Sequence, residues 1–185
     1  GLAGPLEILS YNGVSGDPAD GGAESPALNN DGSVRAFASG STELLPGATT
    51  NTSRIFVHTA TEPLEFIDAG RAPKLSDDGR YVAYLNGSRA IVHDRALNQT
   101  HWESDSLGLG LTAVMKEVAI SGNGQFVALV EEARPGEGIY WDRVRVHDIA
   151  TNTTMTATNN AEGEAGNGSA SSVSISAAGQ RVAFQ

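Results

Sequence analysis

Polar turns built on a glycine punctuate this chain, and short alternating runs of aliphatic and small residues flank each of them. Four segments share the form: Pro26–Phe37, Pro73–Tyr84, Val118–Leu129 and Val173–Phe184. In each, an aliphatic position leads into a polar turn. A glycine follows, then a run of small-apolar and aromatic or aliphatic residues. The pattern predicts a tight β-hairpin, because Asp-Gly and Asn-Gly pairs favour turns that need positive φ. Asp31-Gly32, Asp78-Gly79 and Asn123-Gly124 fit, and Ala178-Gly179 keeps only the glycine. The four glycines lie 47, 45 and 55 residues apart.

Two further elements recur between the hairpins. Ile55–His58, Ala90–Asp94 and Val144–Asp148 each read as a strand ending in Val-His, followed by Asp in the last two. Leu64–Asp68, Thr100–Ser104 and Thr153–Ala157 follow them, and alternation with β-branched residues suits strands here too. Pro5–Tyr11 matches this last element with no earlier partner before it. The unit is therefore four short strands, A to D, over roughly 45 to 55 residues, the period and strand count of a propeller blade. The fold class predicted is all-β: a β-propeller of four-stranded antiparallel blades, three complete and one incomplete. Residues 1–24 would hold a strand D and a loop, 25–71, 72–116 and 117–171 three blades, and 172–185 strands A and B of the last. No helix is predicted. Leu111–Ile120 has a partial 3.6-residue pattern, but it falls in a D-to-A connection and lacks a cap.

Ser76–Tyr84 and its three counterparts resemble the TolB-type (WD-like) β-propeller repeat of bacterial exported proteins. Glu43–Asn51 is similar to that family's B-to-C loop, and Ile55–His58 to its C strand. The resemblance covers nearly the whole chain. It implies an exported protein, extracellular, at the cell surface or periplasmic. It also implies a range of roles: scaffolding, protein binding, or service as a domain beside a hydrolase. Such propellers commonly have six or seven blades, more than are present here. Trp141-Asp142 differs from the Trp-Asp of true WD repeats, because it falls at the start of strand C.

The unfinished blade shapes the functional expectation. Leu6, Ile8 and Tyr11 lie on a segment that can supply strand D to the last blade, whose A and B strands include Val182 and Phe184. Strand C of that blade would still be missing. An open sheet edge exposes unpaired backbone groups, which natural proteins cover or use. Three arrangements follow: part of a larger propeller, completion by a second copy through strand addition, or a small propeller with a frayed blade. Gly1 in place of Met, and an end inside the strand Arg181–Gln185, lead us to expect a processed chain or a piece of a longer one.

Composition narrows the chemistry. Of 185 residues, 18% are charged, below the roughly 25% of an average soluble domain. The net charge of −10 argues against nucleic acid as a partner, since that needs a basic face. The absence of cysteine excludes disulfides and thiolate-ligated metals. No apolar run approaches a membrane span. His58, His93 and His147 share one repeat position, yet strand C lies ~10 Å outside strand A, so equivalent imidazoles diverge between blades. They read as strand-end residues bonding locally or facing solvent. Asp17, Asp20, Glu162 and Glu164 supply oxygen ligands of the kind calcium uses, without the spacing of an Asp-rich calcium loop, so calcium is only a weak candidate cofactor. Gly108–Ala113 resembles a dinucleotide fingerprint with no room for its crossover helix. No Gly-x-Ser-x-Gly or His-Glu-x-x-His occurs. Trp102, Trp141 and Tyr140 suit either a partner contact or packing between blades. Five Asn-x-Ser/Thr sequons, from Asn51 to Asn167, matter only in a glycosylating host. The expectation is a non-enzymatic, exported, self-assembling interaction module. The rivals are an accessory propeller of a hydrolase and sugar or peptide binding along an axial channel lined by Lys74, Ala119 and Ser174.

Overall fold

The computed structural model describes residues 10, 17–45, 47–49, 51–104, 114–136, 139–159 and 169–185. Its repeating seed is the hairpin turn. Asn29, Ser76, Ser121 and Ser176 occupy the same place in the four turns. Each donates its backbone N–H to the carbonyl five residues on, of Val34, Tyr81, Phe126 and Arg181, at 2.9–3.1 Å. The side-chain oxygen of each accepts the N–H of that same residue, at 2.9–3.1 Å. Each turn is thus closed by a short polar side chain that mimics the backbone. The glycine N–H returns to the first residue's carbonyl, and φ at Gly32, Gly79, Gly124 and Gly179 lies between 69° and 75°.

Each turn joins strand A to strand B of a blade. The first blade contains β1 (Glu24–Leu28), β2 (Val34–Ser39), β3 (Arg54–Thr59) and β4 (Glu65–Ala69). The second contains β5 (Arg71–Leu75), β6 (Tyr81–Asn86), β7 (Arg89–Asp94) and β8 (Gln99–Glu103). The third contains β9 (Val114–Ile120), β10 (Phe126–Gly136), β11 (Ile139–Asp148) and β12 (Thr153–Thr156). All three are antiparallel sheets whose strands follow chain order. The last two strands, β13 (Ser174–Ile175) and β14 (Val182–Ala183), form a sheet of two. No helix occurs among the described residues. The stretch with the partial helical period is strand from Val114 on, with a register shift against β10 between Val130 and Glu131. That bulge breaks the strict alternation. Pro5–Tyr11 lies outside the described residues apart from Ser10, which accepts the Ala19 N–H.

The blades stack face to face over apolar seams. Val34, Ala36, Ala38, Ile55 and Val57 of the first blade meet Val82, Tyr84 and Ile91 of the second. Ala83, Leu85, Ala90 and Val92 of the second meet Met115, Val118, Ile120, Val127 and Leu129 of the third. Val130 and Val144 of the third meet Val173 and Val182 of the last pair. Period-2 alternation makes this possible, since odd and even positions of each strand B face opposite neighbours.

The turns also lock the blades in sequence. Asn30 N–H donates to the Asp77 carbonyl, Asp77 to Gly122, and Asn123 to Ala177, at 2.8–3.2 Å. The turn glycine of each blade rests on the first strand-B residue of the blade before. A Cβ would come within 2.5 Å of Val34 at Gly79, 2.2 Å of Tyr81 at Gly124 and 2.0 Å of Phe126 at Gly179. At Gly32 a Cβ would meet nothing within 4 Å. The Glu117 carboxylate docks the last pair by accepting the N–H groups of Ser172 and Val173 at 3.0 and 3.1 Å.

Candidate functional site

Two of the three recurring histidines fall on the seams, while His58 opposes Arg35 on the other face of the first blade. His93 opposes Val82 on the face toward the first blade, and His147 opposes Val127 on the face toward the second. Both imidazoles are buried rather than facing solvent, and His147 bonds locally, one of the two arrangements the sequence suggested. The reason is the register, which puts strand C's last residues on the backward face of each blade. His147 bonds Thr154 through Nδ1 at 2.8 Å and stacks on Trp102 of the second blade, with ring centroids 4.6 Å apart. Nε2 of His93 and of His147 is buried without a hydrogen-bond partner. The three rings lie on different blade faces, and among the described residues no group of three or more His, Cys, Asp or Glu gathers to hold a metal.

Burial pushes the His147 pKa below its ordinary value, outweighing the opposing pull of Asp148. Folding therefore favours the neutral ring, and the unfolded chain binds more protons on the acid side. This contribution to stability is complete above about pH 6.5 and is lost as pH falls through the folded-state pKa. Urea unfolding at pH 7.5 and pH 5.5 should show a smaller acid-side loss for His147→Gln than for the wild type. An identical loss in both proteins would remove His147 from the pH response.

The sheet opens at the last pair. In each complete blade strand B pairs on its outer side with a strand C: β2 with β3, β6 with β7 and β10 with β11. Among the described residues nothing pairs with the outer side of β14. A cleft of about 480 Å³ lies between the third blade and the last turn, lined on the blade by Phe126, Val146, Asp148 and Met155 and on the turn by Gly179 and Gln180. Cross-strand pairing matches Val146–Met155 with Val92–Trp102 of the second blade. There the next blade covers them: Val92 is fully buried and Trp102 lies under His147. Here Met155 is 66% exposed.

The other anticipated residues are placed as follows. Val182 packs on the Val130–Val144 seam within the chain, and Phe184 beside it is 43% exposed. Leu6, Ile8 and Tyr11 lie outside the described residues, as do Glu162, Glu164 and Gly108–Ala113. Asp17 is exposed. The Asp20 carboxylate accepts from the Ser41 and Thr42 hydroxyls and the Thr42 N–H, bonds that hold its pKa below the usual carboxylate value. Lys74 and Ser174 are exposed, whereas Ala119 is buried. Trp102 packs between blades, and the Trp141 ring carries the Arg143 guanidinium 5.6 Å from its centroid. Sequence reasoning missed Phe126, Val146 and Met155 as one surface. The available signal was an apolar Met155 in the third element, at the repeat position of Trp102.

No family model matches this sequence, and no curated protein does. Solved structures do. TolB from Acinetobacter baumannii is similar over 92% of this chain and 39% of its own length, at 18% identity and a TM-score of 0.56. The tricorn protease is similar over 85% of this chain and 14% of its own, at 15% identity and a TM-score of 0.59. Porphyromonas gingivalis dipeptidyl peptidase 4 is similar over 94% and 32%, at 10% identity and a TM-score of 0.58. The chain thus spans well under half the length of these proteins. At such identities the likeness is one of fold, and the fold is a TolB-like β-propeller whose sheets do not close into a ring among the described residues.

Proposed function

We propose that this protein is a non-enzymatic propeller that serves as a structural or protein–protein interaction module outside the cytoplasm, and that copies of it assemble by completing the unfinished blade. One observation carries the reading: among the described residues nothing pairs with the outer side of β14, whereas each of the three preceding strands B has a strand C there. An open edge of this kind is a ready template for another chain. The placement outside the cytoplasm rests on the resemblance to exported propellers. A heterologous contact of this sort gives a ring if the rotation closes and a filament if it does not. Size-exclusion chromatography with light scattering tests it. The expected result is a concentration-dependent rise in mass across the micromolar range, and a monodisperse monomer throughout sinks the assembly reading.

A second reading has its own support. The structural neighbours include a protease and a dipeptidyl peptidase, which fits an accessory or gating propeller of an exported hydrolase. It predicts a hydrolase segment in the same gene, and sequencing the gene on both sides of this region decides between the two.

A further inference from the structure

The seam between the second and third blades carries an imidazole at its outer end. The His147 ring is buried against Trp102, with ring centroids 4.6 Å apart, and Thr154 meets its Nδ1 at 2.8 Å. Nε2 is buried without a partner. Whichever nitrogen holds the proton of the neutral ring, the charged ring has an N–H at each, and the one at Nε2 meets no acceptor. The charged groups around the ring are engaged elsewhere. On its own face of the third blade Arg145 pairs with Glu131, and Arg143 lies over Trp141. β12 adds only threonines and a methionine. On the facing side of the second blade Asp94 pairs with Arg80, and His101 packs on Tyr81 at the exposed rim. Asp148 lies on the opposite face, accepting from Gln125 at 3.2 Å, and its pull toward the charged ring is smaller than the desolvation that opposes it. Stacking on the indole returns part of the cost of charging. The water the ring has lost and the unmet Nε2–H are the larger part.

The inner part of this seam holds without His147. Met115, Val118, Ile120 and Leu129 pack on Ala83 and Leu85. The Asp77 N–H donates to the Gly122 carbonyl at 2.8 Å, and Arg71 Nη2 donates to the Met115 carbonyl at 3.3 Å. The outer end of the first seam is built differently. Glu65 opposes Val57 there, in the place that Trp102 takes opposite Val92, and Arg95 Nε of the second blade lies 2.8 Å from its Oε2. An ion pair thus ties the outer end of the first seam, and a stack of neutral rings ties that of the second. We propose that the outer end of the second seam is an acid-operated joint: when His147 gains a proton, the outer strands β8 and β12 part, Trp102 meets water, and the first seam stays closed.

The test compares the whole chain at about pH 7.5 and about pH 5.0, on either side of the ordinary histidine range. Hydrogen exchange, read by mass spectrometry and corrected for the intrinsic rate, should speed about tenfold in β8 and β12 at the lower pH and stay level in β3 and β4. In Trp141→Phe, Trp102 is the one tryptophan left. Its emission should shift to the red in acid and be quenched more strongly by acrylamide. His147→Gln should show neither change. Should that variant fail to fold, the wild-type histidine titration followed by NMR still decides: the His147 midpoint should lie below about 6.5, and the change in exchange should follow it. A midpoint at or above that value overturns the joint, as does an acid response of Trp102 that survives in folded His147→Gln. Unchanged exchange in β8 at the lower pH overturns it too. Equal loosening of both seams is general acid unfolding, and the proposal then falls.

Discussion

Gly124→Ala is expected to cost about 2–5 kcal/mol of stability, whereas Gly32→Ala, the same change at the same repeat position, should cost only about 1–2 kcal/mol. Both glycines hold positive φ, 72° and 75°, so both variants carry the left-handed backbone penalty. Only Gly124 sits on a neighbour. Its Cβ would lie 2.2 Å from the Tyr81 ring, and that ring is itself held, with the Arg80 guanidinium 5.0 Å from its centroid and His101 packed against it. The ring cannot step aside without parting the second and third blades, so overpacking adds to the backbone cost. Nothing within 4 Å opposes a Cβ at Gly32. Urea midpoints of the two variants measure the difference. Equal losses would mean that the turn glycines answer only to backbone conformation, and that the stacking of turn on strand carries no stability.

The repeat was legible because its signals are local. A turn needs a glycine at positive φ and a short polar side chain to cap it, and both are written within five residues at Asn29, Ser76, Ser121 and Ser176. Strand order then follows, since short connections leave consecutive strands adjacent. What faces what was less legible, because it depends on register. A shift of one residue turns every side chain to the other face, and register shifts occur in all three complete blades, as between Ala133 and Gly136 in β10. The histidines show the consequence. Their recurrence was plain in the sequence, but their burial in the seams came from the pairing of His93 with Val82 and His147 with Val127. The cleft was hidden for a related reason. Phe126, Val146 and Met155 come from three strands, and only the pairing of those strands brings them to one surface.

Arg145→Ala should destabilise the protein by about 3–5 kcal/mol, and the paired change Glu131→Met with Arg145→Leu should recover most or all of that loss. Arg145 and Glu131 are both buried, and Arg145 Nε lies 2.6 Å from Glu131 Oε2. Removing the cation takes from a buried carboxylate the ion-pair partner that offsets its desolvation, a cost larger than anything the pair contributes when whole. The other blades show that the place does not require charge. The partner of Phe37 in β3 is Phe56 and that of Tyr84 in β7 is Ile91, while Leu129 in the same role faces Arg145. An apolar residue at position 145 therefore has two precedents in this chain, provided position 131 is made apolar with it. The double variant separates two explanations of the pair. If it unfolds at a urea concentration near the wild type's, the ion pair is a local choice that the seam tolerates. If it stays as weak as Arg145→Ala, the pair fixes how the second and third blades fit, and its loss should also blur the His147–Trp102 stack seen in near-UV circular dichroism.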